Sequence, residues 1–173
     1  MATRPTDGQV TTRLVAPQAE DAAVVAGWSR SAEEARRWCS VSEHPFPPER
    51  VRDWWAEPEV QPWVLAEEPG GSPVGYGELW LDEEEDEVEL ARLIVDPARR
   101  RSGLGRALVA SLVEAAAATG LAGCLLRVVP DNAPAIGLYR AAGFAEVDPD
   151  RTAVWNQDQP MEYVWLEWPG YGP

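Results

Sequence analysis

Two short stretches of this 173-residue chain carry residue types that could act on a ligand. The first is Arg99-Arg100-Arg101-Ser102-Gly103-Leu104-Gly105. Glycines let the backbone come close to a ligand, a helix start presents unpaired N–H groups, and guanidiniums add positive charge, so together they suit a phosphate. A helix start with a solvated arginine run is the plainer reading of the same residues. A P-loop is excluded, because it needs Gly-Lys-Ser/Thr and the chain has no lysine. A dinucleotide fingerprint fails as well: Leu108 stands where the third glycine belongs, and neither the tight turn nor the acidic residue about twenty positions on is present. The second stretch runs from Asp82 to Glu89 and holds seven carboxylates. It could attract cations or supply a general base, or it is a solvated hairpin tip.

Regular elements must position these residues. Leu90, Leu93, Ile94 and Val95 form an apolar run that Asp96-Pro97 ends, because proline offers no ladder N–H and restricts the residue before it. This predicts a buried strand just before the arginines. From Leu104 the apolar residues recur as Leu108, Val109, Leu112, Val113 and Ala116, and Thr119-Gly120 supplies a stop. That spacing predicts a helix packed on a sheet. Before this unit the pattern predicts a strand at 13–16, helical pieces at 19–29 and from the Ser31-x-x-Glu34 capping box, and a helix bearing Val51, Trp54 and Trp55. A hairpin of strands at 62–66 and 74–81 follows. After the unit come a strand at 122–129, a helix begun by Asn132 as cap and stopped at Gly143, and strands at 144–147 and 161–168. The 148–160 connection is too polar to assign. Trp28, Trp38, Trp54 and Trp55 read as core stripes first, with one or two free to line a pocket.

Arg100-x-x-Gly103-x-Gly105 after a strand ending in Val95-Asp96-Pro97, followed by Asn132, Tyr139 and Gly143-Phe144, resembles the coenzyme-binding half of the GNAT superfamily of acetyl-CoA-dependent N-acetyltransferases. The likeness covers residues 88–147. It implies that the backbone of Gly103, Leu104 and Gly105, with Arg100, Arg101, Ser102 and Arg106 in the same loop and helix start, holds the pyrophosphate of acetyl-CoA. Leu93, Ile94 and Val95 would pair with the pantetheine arm, with the Val95 amide on the thioester carbonyl and Asn132 on the arm. Tyr139 would be the general acid. Glu89, eleven residues before Arg100 as in some members of the family, would be the base, with Glu78 and Glu87 as alternatives.

The implied fold is α/β, a GNAT-like single domain over 12–168 with a mixed, mostly antiparallel sheet of about seven strands and about four helices. Residues 1–11 and 169–173 are expected to be flexible ends. A net charge of −14 argues against nucleic acid or anionic membrane as the main partner, and no apolar run reaches the roughly 18 residues of a membrane helix, so a cytoplasmic location is expected. Cys39 and Cys124 read as buried hydrophobes rather than metal ligands or nucleophiles, and no metal is expected. The expected reaction is direct attack by a primary amine, a small molecule or a peptide and cationic by preference. The competing reading is a non-catalytic acyl-CoA-binding sensor or partner module. Trp155 and Trp165 are read as candidates for a homodimer contact.

Overall fold

Side-chain alternation along the central strands assigns every second residue to one of two layers on a single sheet. The computed structural model describes residues 11–169; the ends expected to be flexible lie almost wholly outside them. Strands β1 (Thr11–Val15), β2 (Val60–Glu68), β3 (Pro73–Asp82), β4 (Glu87–Val95), β5 (Gly123–Val128), β6 (Ala145–Glu146) and β7 (Val164–Glu167) take the order β1-β2-β3-β4-β5-β7-β6. Every pairing is antiparallel except β4 with β5. A parallel pair cannot be closed by a tight turn, and the helix α4 (Leu104–Ala117) makes the crossover.

Six α-helices are present among the described residues, more than the four or so expected: α1 (Asp21–Gly27), α2 (Ala32–Cys39), α3 (Pro48–Trp55), α4, α5 (Ala133–Ala142) and α6 (Pro149–Asn156). The polar 148–160 connection accounts for one of them. Asp148 caps α6 by accepting from the N–H groups of Asp150 and Arg151 at 3.1 and 3.0 Å, and proline fills the first turn. The strand expected at 144–147 shrinks to two residues because this helix begins so soon after it.

α4 and α5 cover one face, where Val88, Leu90, Leu108, Leu112, Leu126 and Ile136 form the main core. Gly77 lets α4 lie close: a Cβ there would fall 2.7 Å from Leu112 Cδ1. α1 to α3 cover the other face over β2, β3 and β4, and Trp38, Phe46 and Trp54 meet there with ring centroids 5.1–5.5 Å apart. The tryptophans of α2 and α3 are therefore core residues first.

A β-bulge interrupts β4. Tyr76 stands opposite Ile94 and Glu78 opposite Ala91, so Gly77 faces both Arg92 and Leu93, and Arg92 adopts φ +50°. One extra residue reverses the alternation. Leu90 before the bulge and Leu93 and Val95 after it all pack toward α4, whereas Ile94 joins the α1–α3 layer. An uninterrupted strand would put Ile94 with Leu90.

Candidate active site

β4 and β5 part company after three residue pairs, Glu87–Glu89 with Gly123–Leu125. Beyond the fork, Leu90–Val95 has β3 on one side and no strand on the other among the described residues. The Asp96 N–H donates to Val74 O at 3.0 Å, so alternation turns the Val95 N–H toward the unpaired edge. The chain then passes a single 3₁₀ turn, Pro97–Arg99, and enters α4 at Gly103. Gly103 has φ +86°, caps α4 without any side-chain oxygen, and a Cβ placed on it would meet nothing within 4 Å. The first-turn N–H groups of α4 are left for an external acceptor. Arg100 pairs with Glu34 of α2 at 3.2 Å, and Arg101 has no ion pair among the described residues. Burial pushes the Glu34 carboxyl up, but hydrogen bonds from Arg30 and Arg100 outweigh that and bring it down to about 2. Ser102 donates to Arg99 O. Arg106 donates to Ala141 O at 3.1 Å, so its guanidinium is spent on the end of α5 and only its backbone belongs to the loop.

Asn132 stands at the N-cap of α5 but makes no side-chain cap bond, contrary to the capping role expected for it, and its amide has no protein hydrogen bond among the described residues. Tyr139, on the same helix, is buried against Phe144 with centroids 6.3 Å apart. Its hydroxyl has no protein hydrogen bond among the described residues, and burial pushes it up to about 12. α5 lies directly beside the α4 start, since a Cβ on Gly105 would come within 3.1 Å of Leu138.

Across the fork, on the face left open by α4 and α5, Glu89 sits at the junction of two cavities of about 590 and 200 Å³ that share Trp80, Glu89, Arg127 and Gln159. The smaller one reaches β4 at Ala91 and Arg92 and β5 at Val128, just where the strands separate. Carboxylates of Glu57, Glu59, Asp82, Glu87 and Asp158 ring the larger one, with Trp155. Burial pushes the Glu89 carboxyl up to about 7, against the pull of Arg127 and Arg92. Its partner is Arg127 Nε at 3.0 Å. Glu78 is different: it is fully buried and holds Trp80 Nε1 at 2.6 Å, Arg92 Nη1 at 2.9 Å and the Tyr76 hydroxyl, so it is locked into packing and lines neither cavity. Glu87 lines the outer cavity only.

Arg92, Arg127, Trp155 and Gln159 are the residues that sequence reading missed. Arg92 and Arg127 each look like one polar residue in a strand, and only the two-residue period offers a signal: Glu89 and Arg127 fall on the same face as Trp80 and Trp165. Trp165 is buried and meets the half-buried Trp155 edge to face at 5.1 Å, and both wall the larger cavity. Cys124 is buried, and burial pushes Cys39 and Cys124 up to about 11 and about 12, which suits inert packing. Among the described residues there is no metal-binding group of three or more His, Cys, Asp or Glu, and no helix long and apolar enough to cross a membrane.

An extended ligand with phosphates at one end fits this arrangement: an open glycine cradle at the α4 start, an unpaired strand edge leading from it, and an asparagine amide alongside. A model of the acetyltransferase (GNAT) family matches residues 28–144, reaching well into the N-terminal part, and the chain belongs to that family, whose acetyl donor is acetyl-CoA. Mycothiol acetyltransferase of Clavibacter michiganensis is 39% identical over 102 residues, which cover 59% of this chain and 32% of that protein. The ribosomal protein bS18-alanine N-acetyltransferase of Escherichia coli is 44% identical over 61 residues, 35% of this chain and 41% of that one. The chain thus spans about a third to two fifths of the length of these relatives. In fold it is similar to spermidine N-acetyltransferase from Vibrio cholerae in complex with CoA and spermine, with a TM-score of 0.67 at 16% identity over 90% of this chain and 92% of that one.

Proposed function

We propose that this chain is an acetyl-CoA-dependent N-acetyltransferase acting by direct attack of a primary amine, and that the acceptor is cationic. The observation that carries the reading is the fork between β4 and β5, which has a phosphate cradle on one side and Glu89 in an acid-ringed cavity on the other. Acetyl-CoA supplies the activated acetyl thioester when bound. The N–H groups of Gly103, Leu104 and Gly105, with Arg100 and Arg101, hold the phosphates; hydrogen bonds to charged groups contribute about 1.5–3 kcal/mol each. The edge of Leu93–Val95 takes an extended arm as an added strand, and Asn132 steadies it. The Val95 N–H, turned to that edge, is placed to stabilise negative charge on a carbonyl oxygen.

Glu89 takes the proton from the acceptor ammonium. An amine of pKa near 10.4 against an ordinary carboxyl is mismatched by about six units, roughly 8 kcal/mol; a carboxyl raised to about 7 reduces this by about 3 kcal/mol. Tyr139, protonated at every working pH, gives its proton to the departing sulfur as the C–S bond breaks and regains one from the second proton that the acceptor nitrogen loses on forming the amide. The carboxylates around the outer cavity draw a cationic acceptor toward Glu89. The test is thiol release from acetyl-CoA over a panel of cationic, neutral and anionic amines at two ionic strengths. Release with cationic amines, falling as salt rises, supports the reading; a best substrate that is neutral or anionic and indifferent to salt removes the cationic part. A melting temperature unmoved by millimolar acetyl-CoA but raised by NAD or ATP overturns the whole.

A further inference from the structure

We infer that Arg127 is a positioning residue for proton transfer: it favours the ionised form of Glu89 and aims it at the cavity junction, and it is itself held in place independently of that charge. The inference rests on Glu89 being the base.

Three features of the geometry support it. First, Arg127 Nε meets Glu89 Oε1 at 3.0 Å, across the one stretch where β4 and β5 still pair, with Glu89 opposite Leu125 and Arg127 two residues further along the same face. Second, the guanidinium lies among three aromatic rings, Trp80 at 5.4 Å, Tyr163 at 5.2 Å and Trp165 at 5.3 Å, and donates through Nη1 to Gln159 Oε1 at 2.5 Å. A cation is attracted to ring faces at this range. Third, the surrounding pieces are themselves fixed. Asn156 Oδ1 accepts from Trp165 Nε1 at 2.9 Å and from the Tyr163 N–H at 3.2 Å, and the Tyr163 hydroxyl bonds Ser40, just past the end of α2, at 2.7 Å.

The consequence concerns what happens when the proton moves. As Glu89 accepts a proton from the ammonium nitrogen it becomes neutral, and an ordinary buried ion pair would leave its cation stranded. Here the rings and Gln159 still hold the guanidinium, so the pair can lose and regain its charge with Arg127 in place. The other charged groups facing Glu89 act in both directions. Arg92 on β4 favours its ionised form and Glu87 on β4 opposes it; Arg37 on α2, Asp82 on β3, Glu57 and Glu59 before β2, and Asp158 after α6 line the same two cavities. Arg92 is already engaged by Glu78 at 2.9 Å. Arg127 is the cation that touches Glu89 directly.

The experiment follows the Glu89 carboxyl by carbon-13 NMR titration of the free protein, beside pH profiles of kcat/KM for the fastest amine of the panel. The wild-type midpoint is expected near 7. In Arg127→Met, which keeps an apolar stem among the rings, the midpoint and the acidic limb of kcat/KM should both move up by at least one unit, with the rate recovering at high pH. Arg127→Lys should restore much of the shift. A folded Arg127→Met protein whose Glu89 midpoint does not move overturns the inference, as does a loss of rate that is equal at all pH values. If Arg127→Met fails to fold, Arg127→Gln is read by the same two criteria. Glu89→Gln separates the two claims: an acidic limb that survives in it sinks the base assignment, and the inference with it, whereas an unmoved midpoint in the arginine variant sinks the inference alone.

Discussion

The two sides of the β4–β5 fork are built in different ways. On the proposed coenzyme side the groups are mostly backbone: the Val95 N–H, the open edge from Leu90 to Val95, and the start of α4 at Gly103, all within fourteen consecutive residues. On the acceptor side they are side chains from β3, β4, β5, β7, α2 and the segment after α6, brought together across more than a hundred residues. Backbone groups present the same donors whatever the neighbouring side chains, so the first side depends on the path of the chain. The second depends on which side chains the sheet's alternation and the α6 excursion point inward. Substitutions on one side should therefore change one substrate's parameters and spare the other's.

Tyr139→Phe should have the largest effect. It keeps the ring beside Phe144 and removes only the donor, so kcat is expected to fall by about 10²–10⁴-fold, or about 3–5 kcal/mol of barrier, with the KM for acetyl-CoA nearly unchanged. Steady-state kinetics with both substrates varied checks this. A full rate removes Tyr139 from the mechanism.

Next comes the pH dependence of stability. Glu89 binds its proton more tightly folded than unfolded, since its carboxyl is raised from 4.5 to about 7. Its contribution to stability is complete below pH 4.5 and is lost as pH rises through about 7, a change of about 3 kcal/mol at most. Glu89→Gln carries no such dependence. Urea unfolding at pH 4.5 and pH 8 should show the variant gaining on the wild type as pH rises. Parallel curves would mean that Glu89 is not held in a raised state.

On the coenzyme side, Gly103→Asp puts a carboxylate where the phosphates are expected and forces a side chain into φ +86°. The fold should persist, since a Cβ there meets nothing. Coenzyme affinity should fall by about 100-fold, or about 3 kcal/mol, as measured by calorimetry. Unchanged affinity in a folded protein would place the phosphates elsewhere.

The smallest effect tests the acceptor side alone. Trp155→Ala removes one wall of the outer cavity and its contact with Trp165. The acceptor KM should rise by up to about tenfold, roughly 1 kcal/mol, while the acetyl-CoA KM stays put. A variant that changed both KM values equally would blur the division between the two sides.

Much of the coenzyme side was legible in the chain because its signals are local. Asp96-Pro97 ends β4 and the Leu104–Ala116 stripe forms α4, with Gly103 at its start, as expected. The Ser31 capping box also forms, with Ser31 Oγ accepting from the Glu34 N–H at 3.1 Å; Glu34 returns its bond to the Arg30 N–H at 3.0 Å rather than to that of Ser31. Apolar periodicity, proline and glycine act over a few residues, and reading them requires no knowledge of what lies across the sheet.

Tertiary structure decided the rest. The bulge at Arg92 is invisible to a strand reading, yet it puts Leu93 and Val95 on the layer of Leu90 and sends Ile94 to the other. The separation of β4 from β5 after Glu89 is a matter of pairing between segments more than thirty residues apart. Glu89, the expected base, and its alternative Glu78 lie on the same face; Glu78 is a fully buried structural group because Trp80, Tyr76 and Arg92 close over it, and Glu89 meets a cavity and Arg127. Local pattern gives a residue its element and its face. What that face meets is set by strand order and crossover, which bring distant residues into contact and so fix burial, partners and proton affinity together.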